Sequence, residues 1–85
     1  MTKQRFLITG GSQGIGAALV GLAHDQGHDV VFTGRNQDLI DQVSGDTGTI
    51  GIRSDVSVAA DNQRAVDTCV EAMGGIDVLV NNAAF

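Results

Sequence analysis

Short apolar runs alternate with longer segments of helical period along this whole chain, and the alternation confines it to a layered α/β fold built of βαβ units. The spacing predicts a strand over 5–9 (RFLIT), then a helix over 14–26 with Ile15, Ala18, Leu19 and Leu22 on its core face and Gly27 as its stop. A second strand follows at 29–33 (DVVFT). Asn36 caps a helix over 36–44, in which Leu39, Ile40 and Val43 face the core before Gly45 and Gly48 break the chain. The third strand, 49–53 (TIGIR), is weakened by glycine, and Ser57 is expected to cap a helix that reaches Met73. Its stripe is Val66, Cys69, Val70 and Met73. Gly74-Gly75 ends that helix, and 76–80 (IDVLV) is a continuous apolar run of the kind buried on both faces of a parallel sheet.

Right-handed crossovers turn this order into a Rossmann-type doubly wound parallel sheet of four strands, order 3-2-1-4, with three helices. At 85 residues the chain is expected to be one domain over 1–85, and an incomplete one. The winding reverses between the first and fourth strands. Ligands of such sheets lie at that reversal, beyond the carboxyl ends of the strands.

Charge and patterning remove several function classes. Five basic against ten acidic side chains leave a net charge of −5, which repels nucleic acid backbones and anionic lipid surfaces. No apolar stretch approaches the roughly 18 to 20 residues of a membrane span, and Phe6-Leu7-Ile8 is too brief for a signal segment. The expected location is cytoplasmic. Cys69 is the only cysteine, so no internal disulfide forms, and its helical spacing among apolar residues gives it a core role. His24 and His28 flank the end of the first helix, where a cation complements the negative dipole end, and neither has a second ligand at metal spacing.

The chemistry concentrates in Thr9-Gly10-Gly11-Ser12-Gln13-Gly14-Ile15-Gly16, which joins the first strand to the first helix. Missing side chains let a backbone approach a pyrophosphate, and a helix N-terminus offers free N–H groups and a positive dipole end. Glycines at 10, 14 and 16 form GxxxGxG, and no frame satisfies GxGxxG. Taken alone, such a turn has a lesser alternative as a tight strand-to-helix connection.

TGGSQGIG, then TGRN at 33–36, then Asp55-Val56, then Asn81-Asn82-Ala83-Ala84, each at the carboxyl end of an expected strand, resembles the N-terminal half of a short-chain dehydrogenase/reductase. The resemblance spans essentially the whole chain. It implies that Gly10, Ser12, Gln13, Gly14, Ile15 and Gly16 hold the pyrophosphate and ribose of a nicotinamide dinucleotide. It further implies that Asp55 and Val56 meet the adenine and that Asn82, Ala83 and Ala84 line the cleft. The family's usual last residue of that motif is glycine, and Ala84 stands there instead.

Cofactor choice is readable at the end of the second strand. A carboxylate there would accept hydrogen bonds from a free ribose 2′-hydroxyl and repel a 2′-phosphate. Gly34, Arg35 and Asn36 stand there, and an arginine fork suits a phosphate, so NADP is expected over NAD. A solvated arginine beside a helix cap is the plainer alternative for the pair Arg35 and Asn36.

The family resemblance assigns catalysis to a tyrosine with a lysine four residues later. This chain has no tyrosine, and its one lysine is Lys3. No catalytic residue is therefore named, and two functions remain open. One is the NADP(H)-binding portion of a short-chain oxidoreductase acting on an alcohol or carbonyl. The other is a nucleotide-binding or interaction module without catalysis, which self-associates, or takes up a missing C-terminal half, through the strand at 76–80.

Overall fold

The order of elements is fixed by local signals that alternate in period. A computed structural model describes residues 2–83, in which β1 (Arg5–Thr9), α1 (Gly14–Asp25), β2 (Asp29–Gly34), α2 (Gln37–Thr47), β3 (Ile50–Arg53), α3 (Ala59–Met73) and β4 (Val78–Asn81) succeed one another. The four strands form a parallel sheet in the order β3-β2-β1-β4, as the crossover argument requires. In register, Leu7 lies between Val31 on β2 and Leu79 on β4.

Side-chain alternation divides the core between the two faces of the sheet. Ile8, Val30 and Phe32 meet Val20 and Ala23 of α1 and Ile40 of α2 on one face, while Leu7 and Val31 meet Cys69 of α3 on the other. Both faces of β1 and β2 are thus covered, which is why their sequences are unbroken apolar runs. Phe32 is fully buried, and two glycines make room for it. A Cβ on Gly11 would stand 2.6 Å from that of Phe32, and one on Gly51 would overlap the edge of its ring. The glycine that weakens β3 in the sequence is the space that the Phe32 ring fills.

Asn36 caps α2 as expected, its side chain accepting from the N–H groups of Asp38 at 3.0 Å and Leu39 at 3.2 Å. Four other expectations need correction. The buried residues of α1 are Gly16, Val20 and Ala23, with Leu19 packed beside them, while Ile15 is 75% and Leu22 55% exposed. Ser57 does not cap α3. Both its N–H and its hydroxyl are taken by Asp55, and the helix begins two residues later. In α3 the buried pair is Ala65 and Cys69, with Val66 and Val70 exposed. His28 is buried rather than at the surface: its Nδ1 accepts the N–H of Gln4 at 3.0 Å, and its ring lies 5.1 Å from that of Phe6.

β4 pairs with β1 alone among the described residues, and Leu79 is 54% exposed, so the run at 76–80 is half-buried rather than enclosed on both faces. Its amino end is fastened by a fork. Arg5 Nε and Nη2 donate to the two carboxylate oxygens of Asp77 at 2.9 Å each, and the Arg5 N–H adds a third bond at 2.9 Å. These bonds hold the Asp77 carboxyl down at about 2. A carboxylate held below its unfolded value contributes stability that is complete above the unfolded pKa of about 4 and disappears as pH falls through the folded one. The thermal midpoint is therefore expected to drop between about pH 4 and pH 2 more steeply in the native chain than in Asp77→Asn; parallel pH profiles would contradict this.

Candidate functional site

All four strands point their carboxyl ends at one cleft. It has a volume of about 540 Å³ and is lined by Gly10, Ser12 and Gln13 after β1, by Thr33, Gly34, Arg35, Asn36 and Leu39 around the end of β2, by Ser54 and Val56 after β3, and by Asn82 and Ala83 after β4. This is the position at which a doubly wound sheet binds its ligands.

The cleft is held in shape by a junction of β1, β4 and α1. Thr9 Oγ1 accepts from the N–H groups of Asn82 at 3.1 Å and Ala83 at 3.2 Å, and donates to the carbonyl of Val80 at 3.3 Å. The side-chain amide of Asn82 donates to the carbonyl of Gly10 at 3.1 Å. Gly16 sits against this contact. A Cβ there would overlap the Gly10 carbonyl and stand 2.6 Å from Asn82 Nδ2. Gly14, by contrast, has open space around it but a backbone φ of 58°, which side-chain-bearing residues adopt rarely. Gly14 and Gly16 are thus required for different reasons.

The first turn of α1 faces no capping side chain: Gln13 occupies the cap position without such a hydrogen bond, and no acidic residue follows in that turn. Leading N–H groups of a helix without side-chain partners, beside a cleft, suit an anionic ligand. The end of β2 offers the opposite of a carboxylate. A Cβ on Gly34 would stand 2.5 Å from Ser12 Oγ, so the buried Ser12 occupies the space that a side chain at 34 would need.

Most of the residues singled out from sequence converge here. Gly10, Ser12, Gln13, Arg35, Asn36, Val56, Asn82 and Ala83 line the cleft. Gly14, Ile15 and Gly16 form the adjoining turn of α1 without lining it. Asp55 faces a neighbouring recess instead, where the hydroxyl and N–H of Ser57 and, secondarily, the charge of Arg35 hold its carboxyl below the ordinary range. Ala84 lies outside the described residues. Sequence reasoning missed Thr33, Leu39 and Ser54 as lining residues. The rule that ligands meet strand ends would have found Thr33 and Ser54, whereas Leu39 reads as core on a helix face.

A family model described as short chain dehydrogenase matches residues 4–85. Among curated proteins, glucose 1-dehydrogenase of Gluconobacter oxydans (strain 621H) is 37% identical over 89 residues, covering 96% of this chain and 33% of that protein. Zerumbone synthase of Zingiber zerumbet is 38% identical over 81 residues, covering 91% and 30%. The 3-ketoacyl-(acyl-carrier-protein) reductase from Brucella melitensis, solved with NADH, superposes with a TM-score of 0.90 at 30% identity over 94% of this chain and 34% of that one. An NADPH dependent reductase involved in bacilysin biosynthesis gives 0.89 at 29% identity over 98% and 38%. The chain spans about a third of the length of the curated relatives it matches.

The contrast between the two glycines of α1 is testable. Gly14→Ala places a side chain in a disfavoured backbone region with free space around it, and is expected to lower unfolding free energy by about 1 kcal/mol. Gly16→Ala drives an atom into the Gly10 carbonyl, and is expected to lower it by about 3 kcal/mol, at the upper end for overpacking. Urea unfolding of both variants measures the difference. Equal losses would contradict the assignment of separate roles.

Proposed function

This chain belongs to the short-chain dehydrogenase family, and we propose that it supplies the NADP(H)-binding portion of an oxidoreductase that moves a hydride between that dinucleotide and an alcohol or carbonyl. The observation that carries the proposal is the cleft itself: a glycine turn fixed against β4 and the ends of β2 and β3 open onto one volume, and an α1 N-terminus without a capping side chain adjoins it. The bound dinucleotide would supply the hydride or accept it. The chain's own residues bind and orient it. Gly10, Ser12 and Gln13 present backbone and hydroxyl groups to the phosphates, Val56 gives the adenine an apolar contact, and Asn82 and Ala83 bound the opposite wall.

NADP rather than NAD is favoured by what stands at the end of β2. No carboxylate is there to accept from a 2′-hydroxyl, Ser12 fills the space one would need, and the exposed guanidinium of Arg35 follows immediately. The solved relatives include one bound to NADH and one described as NADPH dependent, so the preference rests on these residues of this chain.

One observation favours a second reading, a dinucleotide-binding module without catalysis. The chain has no tyrosine, and Lys3, its one lysine, is paired with Asp29 at 3.1 Å at the amino ends of β1 and β2, opposite the cleft. Proton delivery to an alkoxide needs a positioned acid of suitable pKa, and none of these residues provides it.

Titration of the full chain with NADP and NAD, before and after Arg35→Ala, tests the cofactor assignment. The expected result is a loss of about 1 to 3 kcal/mol in NADP binding, the scale of a charge-assisted contact, with NAD little changed. Equal losses for both dinucleotides would remove Arg35 from cofactor choice. Turnover of NADPH with carbonyl substrates then separates the catalytic reading from the second one.

A further inference from the structure

At the amino end of the sheet, opposite the cleft, the chain enters β1 through a joint made by Lys3 and Gln4. Gln4 is tied to the start of β2 by both of its backbone groups. Its carbonyl accepts the N–H of Asp29 at 3.0 Å, and its N–H donates to His28 Nδ1 at 3.0 Å. The first bond joins backbone to backbone, as in the sheet beyond it. The second ends on an imidazole nitrogen.

His28 is held on several sides. Its own N–H donates to the Ala23 carbonyl at 3.1 Å, closing α1, and the residue is buried with its ring tilted by 42° against that of Phe6. Nδ1 accepts a hydrogen bond only while it carries no hydrogen. A proton placed there sets two N–H groups against each other. Whether the ring then turns or residues 3 and 4 lift away, the Gln4 N–H loses this partner. What remains to hold the joint is one backbone bond and the Lys3–Asp29 pair at 3.1 Å, whose side chains are 63% and 42% exposed. An ion pair so open to water holds little, and the end of a strand is where local opening starts.

The charged surroundings of His28 are few. It lines a recess with Lys3 from the segment before β1, His24 from α1 and Asp29 from β2, while the turn before β3 and the end of α3 bring no ionisable side chain to it. Asp29, the one carboxylate of that set, is already paired with Lys3. Imidazole is the side chain that exchanges a proton within about pH 5 to 8. The neighbouring fork between Arg5 and Asp77 holds throughout that range, because the Asp77 carboxyl lies at about 2.

We propose that His28 is a pH-sensitive latch: with Nδ1 unprotonated it fastens residues 3 and 4 to the start of β2, and its protonation releases them while the sheet from Arg5 onward stays in place. The latch is independent of what the cleft binds.

The N–H···N bond is read directly by the scalar coupling between the Gln4 amide nitrogen and His28 Nδ1 in the isotope-labelled full chain. The coupling is expected at about pH 7.5 and is lost toward about pH 5, as the ring shifts report hydrogen on both nitrogens. Over the same range, exchange of the Gln4 amide with water, corrected for its intrinsic pH dependence, is expected to rise about tenfold. The amide signals of Leu7 and Val31 should keep their folded positions. His28→Asn, which offers an amide oxygen near the place of Nδ1 and does not titrate, should make Gln4 exchange independent of pH after the same correction. His24→Gln should leave the native response intact. Absence of the coupling at about pH 7.5, or its persistence in a doubly protonated ring, would overturn the proposal. So would an unchanged pH response in His28→Asn, its disappearance in His24→Gln, or loss of the Leu7 and Val31 signals together with the coupling.

Discussion

The contact between Gly16 of α1 and the carbonyl of Gly10 is the constraint from which the site follows. It brings the first turn of the helix directly against the end of β1, and the same carbonyl accepts the side-chain amide of Asn82 beyond β4. Thr9 completes the junction by receiving two N–H groups from residues 82 and 83. β1, the helix that follows it and the distant β4 are thereby locked within one hydrogen-bonded knot. The cleft is the space left around it. Any side chain at 16 would separate the helix from the strand and move the N–H groups that face the cleft.

Much of this organisation was legible in the sequence, because the signals that set it are local. Strand positions followed from apolar runs bounded by glycine, the cap of α2 from Asn36, and the strand order from the handedness of crossovers. The buried face of α1 was not legible. Apolar residues lie all around that helix, so periodicity alone does not choose among them, and the choice is made by Gly16 against Gly10 and by Val20 against Gly11. The expected stripe through Ile15 and Leu22 is correspondingly exposed. Ser57 had the composition of a cap, but Asp55 took its donors and formed a turn before the helix started.

The site was legible as motifs and illegible as contacts. Eight of the residues named from sequence line the cleft because each follows the end of a strand. The fit of Ser12 into the space over Gly34 involves residues 22 positions apart, and nothing in either segment announces it. The same holds for Ser54, an ordinary serine in sequence whose burial emerges only when Arg64 and Asp61 fix the turn around it and whose hydroxyl finds no partner among the described residues. Charge behaves likewise. The chain's total of −5 argues against polyanions, yet three arginines from different elements converge beside the cleft. A sum over the sequence carries no information about that placement.

Backbone amide NMR during titration with NADP tests whether the ends of the four strands form a dinucleotide site. Shift changes are expected to concentrate at residues 10–16, 33–36, 53–56 and 82–83, with those around Gln4, His28 and Asp29 at the opposite end of the sheet unmoved. Changes centred on that opposite end, or none at saturating dinucleotide, would contradict it.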